Sequence, residues 1–370
     1  MRRFFHPLFP LFFWAACGVF PGLLQAQGLE PPSPEAVQDA RNAPLFTSHE
    51  TLQMTLEADF SAMKRNDRGQ DSEERPGVLR WTSASGVRDS LEIQIETRGN
   101  FRLQRKNCEF PPLRLNLKKK ATKGTIFDGQ DKLKLVVTCK LGRDYWEQYV
   151  LLEYLAYRTF NLITDKSFRV RLARVTYVDT SDRDDPFTRY GIILEDDDTM
   201  ALRHEGRKVD WTSGQLDPRH LDPYHAVLVD VFQYMIGNTD WSGVEMHNME
   251  LIETTEREYF TIPYDFDFSG VVNARYAAPD PSLPIRRVRQ RLFRGFCPDQ
   301  VNRPQETYEQ AFGRFLELKD EIYELWMDQE GLERDRLEET LEYFDDFYQT
   351  VEEPDRIESR MFDSCRRIRG

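Results

Sequence analysis

Histidine is scarce, with six in 370 residues, and glycine and proline at twenty each are too few for a low-complexity chain. Basic residues are outnumbered. The 50 Lys+Arg against 63 Asp+Glu leave a formal charge of −13, the wrong sign for a nonspecific nucleic-acid binder. No Gly-x-Ser-x-Gly elbow occurs, which argues against a serine hydrolase of that kind. No two cysteines stand two residues apart, and His204, His220 and His225 are scattered, so no zinc site is suggested. No multi-glycine phosphate loop is present; Arg98-Gly99-Asn100 offers a single glycine. Beyond the N-terminus no stretch is long and apolar enough to span a bilayer.

What is present describes a folded globular chain. Hydrophobic residues make up 40% and charged residues 31% of it. The 25 Phe, 15 Tyr and 6 Trp imply a well-filled core rather than disorder. The length suits one large domain or two lobes.

The N-terminus reads as a targeting segment. Arg2 and Arg3 precede an apolar run from Pro7 to Phe20, then Leu23-Leu24-Gln25-Ala26. A charged start, an apolar centre and a small-residue end make a signal peptide, with cleavage expected after Ala26. An alternative is lipoprotein anchoring at Cys17, but Trp14 fits that cleavage box poorly and apolar residues follow the cysteine. The mature chain is expected in the periplasm or secreted, with no transmembrane segment. In that compartment Cys108, Cys139, Cys297 and Cys365 form an even set open to disulfide pairing. The favoured pairs join the two in the N-terminal half, Cys108 with Cys139, and the two in the C-terminal half, Cys297 with Cys365.

Four regions are expected: a signal peptide over 1–26, a Pro-rich linker over 27–43, a strand-rich lobe over 44–198 and a mainly helical lobe over 199–370. Alternating apolar residues mark strands at 52–58, 91–96, 112–117 and 132–137, with two more at 170–179 and 190–195. Residues 144–162 carry apolar side chains at helical spacing, and Pro223 to Ile236 is a strongly apolar helix. Short strands are expected at 249–252 and 260–262.

Two segments concentrate the chemistry. Asn238-Thr239-Asp240-Trp241 opens a stretch that ends at His247-Asn248, directly after the apolar helix. Tyr264-Asp265-Phe266-Asp267-Phe268-Ser269 follows a short hairpin. Carboxylates among apolar residues are costly unless they serve a cation or a proton transfer. A hard cation takes a few oxygen ligands plus substrate phosphates, and phosphoryl transfer needs a carboxylate to orient the nucleophile. The bland alternative is a helix C-terminal turn and a capped strand end.

These residues resemble the CotH-type atypical kinase-like family over about Leu91 to Ser269. Arg98-Gly99-Asn100 and the strand from Pro112 resemble that family's Arg-Gly-Asn stretch. The helix around Glu153 resembles its packed helix, and Tyr190 to Glu195 its nucleotide-side strand and connector. Asn238-Thr239-Asp240-Trp241 is similar to its catalytic loop, and Asp265-Phe266-Asp267-Phe268-Ser269 to its metal-binding motif. The resemblance implies an α+β, two-lobed protein-kinase-like fold: an N-terminal antiparallel sheet with one packed helix and a mainly helical C-terminal lobe. It implies ATP with Mg²⁺ or Mn²⁺ and a protein or peptide Ser/Thr acceptor. Asp240 would be the catalytic carboxylate, and Asn248, Asp265 and Asp267 would hold metal. Asn248 follows Asp240 by eight residues, farther than in the family, which makes His247 a rival ligand.

A triphosphate also needs a cation. Lys132 and Lys134 share one strand face, and Lys134 is the favoured phosphate contact, held by an ion pair to Glu153. Glu147 is an alternative partner, and Arg98 or Arg114 alternative phosphate contacts. Glu195 is expected on the nucleotide side. Arg286, Arg287, Arg289, Arg291 and Arg294 form a basic stretch that could receive an acidic peptide or simply cover a solvated helix face. Two rivals stand beside the phosphotransferase: an inactive module using the same cleft to bind an envelope component, and a metal-dependent hydrolase built on Asp240, Asp265 and Asp267.

Overall fold

The computed structural model describes residues 31–66, 72–82, 86, 88–212 and 214–367. The expected signal peptide, its cleavage after Ala26 and Cys17 lie outside them. The elements in chain order are α1 (Pro34–Arg41), β1 (Leu52–Ala58), α2 (Phe60–Asn66), β2 (Arg75–Thr82), β3 (Arg88–Thr97), β4 (Leu113–Asn116), α3 (Lys119–Thr122), β5 (Lys132–Val137) and α4 (Tyr145–Ile163). Then come β6 (Val170–Asp179), β7 (Phe187–Leu194), α5 (Asp197–Arg203), β8 (Gly206–Val209), α6 (Pro223–Met235), β9 (Met249–Thr254) and β10 (Tyr259–Pro263). The C-terminal helices are α7 (Gln305–Glu317), α8 (Lys319–Met327), α9 (Arg334–Val351) and α10 (Pro354–Arg360).

Seven strands close into a barrel in the order β1-β2-β3-β4-β5-β7-β6. Every neighbouring pair is antiparallel except β1 with β6, which run parallel from Leu52 opposite Ala173 to Ala58 opposite Asp179. That pairing overturns the two-lobed, protein-kinase-like arrangement with an open antiparallel sheet. An open sheet leaves two edges of unpaired backbone groups, and closure removes both. The alternation of β1 sends Leu52, Met54, Leu56 and Ala58 into the barrel. There they meet Leu79, Ile95, Leu115, Leu135 and Val175, with Tyr177 in edge contact with Phe60 and Phe110.

The outer face of β6 and β7 carries α4. Residues Val170, Leu172, Ile192 and Leu194 point out of the barrel and join α4 in a second apolar cluster. Fifteen of the 19 residues of α4 are buried, because α6 and the C-terminal helices cover its other side. Trp326 of α8 donates from Nε1 to the Thr159 hydroxyl at 2.9 Å. The C-terminal region is helical, as its pattern indicates. A separate three-stranded sheet, β10-β9-β8, lies beside α6. The segment read as a Pro-rich linker contains α1, capped by the Ser33 hydroxyl, with Val37 and Ala40 buried.

Both favoured disulfides form. Cys108 bonds Cys139 and Cys297 bonds Cys365, with Cα separations of 4.7 and 5.0 Å. These bonds fit a protein that matures outside the cytoplasm. No described helix is long and apolar enough to cross a membrane.

Candidate functional site

The first acidic turn is built by the end of α6. That helix buries nearly its whole length, so its exit is fixed. Gly237 follows with φ +65, and any Cβ there would collide with the Tyr343 hydroxyl. Asn238 then closes a tight turn: its Oδ1 accepts from the Asp240 amide at 2.9 Å. Trp241 Nε1 donates to the Asn238 carbonyl at 3.1 Å. Arg294 donates to the carbonyls of Thr239 and Trp241. Part of the basic stretch therefore buttresses this loop. Arg291 likewise donates to the Met235 carbonyl and lies 3.5 Å from the centre of the Tyr343 ring.

The Asp240 carboxylate is held on both oxygens. His247 Nε2 lies 3.0 Å from Oδ1. Asn248 Nδ2 donates to Oδ2 at 3.1 Å and to the Asp240 carbonyl at 2.8 Å. The hydrogen bond to Asp240 raises the His247 pKa. Reciprocal backbone bonds between Ser242 and His247 pinch the loop. Met246 and Asn248 sit in left-handed conformations at φ 54 and 52. Such strained non-glycine residues persist where their surroundings over-determine them, and they cluster at functional sites.

The β9–β10 hairpin brings the second turn to the first. Tyr264 donates its amide to the Asn248 carbonyl at 3.1 Å. Asp265 follows at φ 62, its amide bonded to the Tyr157 hydroxyl of α4 at 2.8 Å. Its exposed carboxylate has no hydrogen-bond or ion-pair partner among the described residues. Asp267, two residues on, is 3% exposed. It accepts from the Tyr276 hydroxyl at 2.9 Å. Burial, then the charge of Asp265, pushes its pKa up to about 7.

Glu153 of α4 lies beneath these carboxylates, 2% exposed, with Oε1 lacking any partner. Burial raises its pKa well above the ordinary value, and Asp267 and Asp265 raise it further, against the opposing pull of Arg102 and Arg98. The site thus gathers four acidic groups against two guanidinium groups, and a buried charge without compensation is costly.

One cleft of about 430 Å³ is lined by Arg98, Arg102, Asp240, Asn248, Asp265 and Asp267, together with Gly99, Phe101, His247 and Tyr264. A larger hollow of about 610 Å³ lies on the barrel surface and lacks this set of charges. The cleft volume lies within the range of small-molecule sites. Arg98 is half-buried, and its guanidinium has no hydrogen-bond or ion-pair partner among the described residues.

Other expected residues are placed elsewhere. Lys134 does not pair with Glu153: it pairs with Asp197 at the start of α5. Asp197 also meets Lys208, which meets Glu250. Lys134 stands behind Tyr264, 5.3 Å from its ring centre. Lys132 is exposed at the start of β5 and does not line the cleft. Glu195 is fully buried in ion pairs with Arg169 and Arg203, a structural knot away from the cleft. Glu147 pairs with Arg174 and Arg189, and Arg114 with Glu96. Sequence reasoning missed Arg102, Tyr157 and Tyr276. Helical spacing could have found Tyr157, which stands four residues after Glu153 on one helix face.

Among the described residues no set of three or more His, Cys, Asp or Glu side chains is arranged to hold a metal ion by itself. Magnesium is commonly held by one or two carboxylates plus substrate phosphates. Asp265, with its free carboxylate, the neighbouring Asp267 and the Asn248 side chain fit that lesser role, and the unpartnered Glu153 Oε1 marks unbalanced negative charge in the same place. No protein-family model and no curated protein matches this chain.

Proposed function

We propose that this cleft binds a nucleoside triphosphate together with Mg²⁺ or Mn²⁺ and transfers the terminal phosphoryl group to a hydroxyl, that of a Ser or Thr in a protein or peptide. The observation that carries this is the meeting of Asp240, Asn248, Asp265, Asp267 and Arg98 in one cleft.

Each group has a task. Asp240, held on both oxygens, receives the acceptor hydroxyl and takes its proton as the new oxygen–phosphorus bond forms. The bond from phosphorus to the bridging oxygen breaks, and the diphosphate leaves. Arg98 and Arg102 neutralise phosphate charge as a pair. Asp265, Asp267 and Asn248 would hold the cation, which when bound supplies charge neutralisation at the phosphates. Phe101, 37% exposed and in edge contact with Phe268, covers one side of the opening.

The reading is tested by incubating the full chain with ATP and either cation, measuring both thermal stabilisation and phosphate transfer to the chain or to a generic protein acceptor. Stabilisation and transfer that both vanish in Asp265→Ala support it. Stabilisation without transfer by the wild type would make the cleft a nucleotide-binding module, and no stabilisation at all would sink the reading.

A further inference from the structure

The two acidic turns are joined directly through their backbones. Gly270 donates its amide to the Gly237 carbonyl at 3.0 Å, and Val271 donates to the Ile236 carbonyl at 2.9 Å. Gly237 stands three residues before Asp240, and Gly270 three residues after Asp267. Whatever fixes this junction helps to fix the separation of the carboxylates that the two turns carry.

A third element reaches the same junction. Tyr343 of α9 is 7% exposed, and its hydroxyl lies where a side chain would begin at Gly237 and also where one would begin at Gly270. Only glycine leaves room for that oxygen at both positions. The ring is held in place by two cations. The Arg291 guanidinium is 3.5 Å from the ring centre and that of Arg289 is 4.7 Å from it. Arg291 is itself bonded to the carbonyls of Tyr234, Met235 and Tyr343 and paired with Asp346. The oxygen is therefore delivered to the junction by a ring with little freedom to move.

That hydroxyl has no hydrogen-bond partner among the described residues. A buried polar atom without a partner costs stability, and phenylalanine would fill the same ring space without that cost. The oxygen thus contributes its position, as a spacer against both turns. Local features that cost stability are characteristic of functional sites.

We infer that Tyr343 is a positioning residue, its hydroxyl setting the separation between the Asp240 turn and the Asp265–Asp267 turn. It does not line the cleft and acts through Gly237 and Gly270. Its effect on catalysis rests on the phosphoryl-transfer reading; its effect on the junction does not.

Tyr343→Phe in the full chain is tested by amide hydrogen exchange, by the unliganded melting temperature and by steady-state transfer from ATP with Mg²⁺. The Gly270 and Val271 amides, which bond the other turn, are expected to exchange about threefold or more faster than in the wild type. The melting temperature should hold or rise, because an unpaired buried hydroxyl has been removed. The kcat should fall roughly tenfold to a hundredfold with nucleotide KM unchanged, the loss that follows when reacting groups are misplaced by about 1 Å or less. The inference is overturned if both amides exchange at the wild-type rate or slower, if the variant melts below the wild type, or if an active enzyme keeps its kcat. If the wild type transfers no phosphate, the phosphoryl-transfer reading fails, while exchange and melting temperature still decide the role of Tyr343.

Discussion

Asn248 donates twice to Asp240, at 2.8 Å to its carbonyl and at 3.1 Å to its carboxylate. One side chain thereby ties the loop after α6 to the strand that leads to Asp265. The wide spacing in the chain is no obstacle, because the loop from Ser242 to His247 folds back on itself. If Asp240 orients an acceptor hydroxyl, Asp240→Asn should lower kcat for transfer by about a thousandfold with little change in nucleotide KM. Asn248→Ala should cost roughly tenfold to a hundredfold, the usual loss for a group that orients a reacting one. Steady-state kinetics separates the two. Equal loss of nucleotide affinity in both variants would place Asp240 in binding rather than in the transfer step.

Asp265 is the counterpart on the second turn, and its carboxylate has no hydrogen-bond or ion-pair partner among the described residues. Removing its charge should therefore cost no stability. Asp265→Ala also relieves repulsion with Glu153 and Asp267, whose pKa values it helps to raise. Alanine tolerates φ 62 less well than aspartate, which offsets that relief, so the unliganded variant should stay within about 1 kcal/mol of the wild type in chemical denaturation. Stabilisation by ATP with Mg²⁺ should disappear. A large drop in unliganded stability would show that Asp265 is a structural group.

Much of this site was legible because its parts are local. The apolar helix α6 ends where its residue pattern ends, and the turn chemistry of Asn238-Thr239-Asp240 follows directly. The alternating pattern of β1 marked an inward face, yet it held no information about the partner of that strand. The parallel pairing of Leu52 with Ala173 joins residues far apart in the chain, and a period of two defines faces, not neighbours. The barrel was invisible for that reason. The same limit explains Lys134. Its strand face was readable, but its partner Asp197 arrives from α5 across 63 positions. Glu153, the partner expected from the packed helix, points instead at the carboxylates.

The Cys108–Cys139 bond closes a segment with a separation of 31 residues. It anchors the end of the loop that begins at Arg98, since Glu109 donates its amide to the Cys139 carbonyl at 2.8 Å and Arg102 donates to Val137. Replacing both cysteines with serine should cost about 3–4 kcal/mol by loss of the chain constraint. The Cys297–Cys365 pair, with a separation of 68 residues, should cost a comparable amount. Only the first replacement should also weaken nucleotide stabilisation, because only that loop carries Arg98 and Arg102. Isothermal titration of both double variants, run below their melting temperatures, distinguishes them.

Asp179 ends β6 and provides a test of the barrel that does not depend on the cleft. It is 5% exposed. Burial alone would raise its pKa, but four hydrogen bonds outweigh it. The amides of Ser61 and Arg183 and the hydroxyls of Ser61 and Ser181 all donate to its carboxylate, at 2.7 to 3.1 Å. The net effect is a pKa far below the ordinary 3.8. An acid whose pKa is depressed in the folded chain adds stability that is complete above its unfolded value and is lost as pH falls below it. Asp179→Ala should therefore destabilise the chain by about 2–4 kcal/mol near neutral pH. The gap between variant and wild type should narrow steadily as the pH is lowered past 3.8. Urea midpoints measured for both proteins at pH values on either side of that point check the sign. A gap that stays constant with pH would mean that the carboxylate is not the group holding α2 against the end of β6.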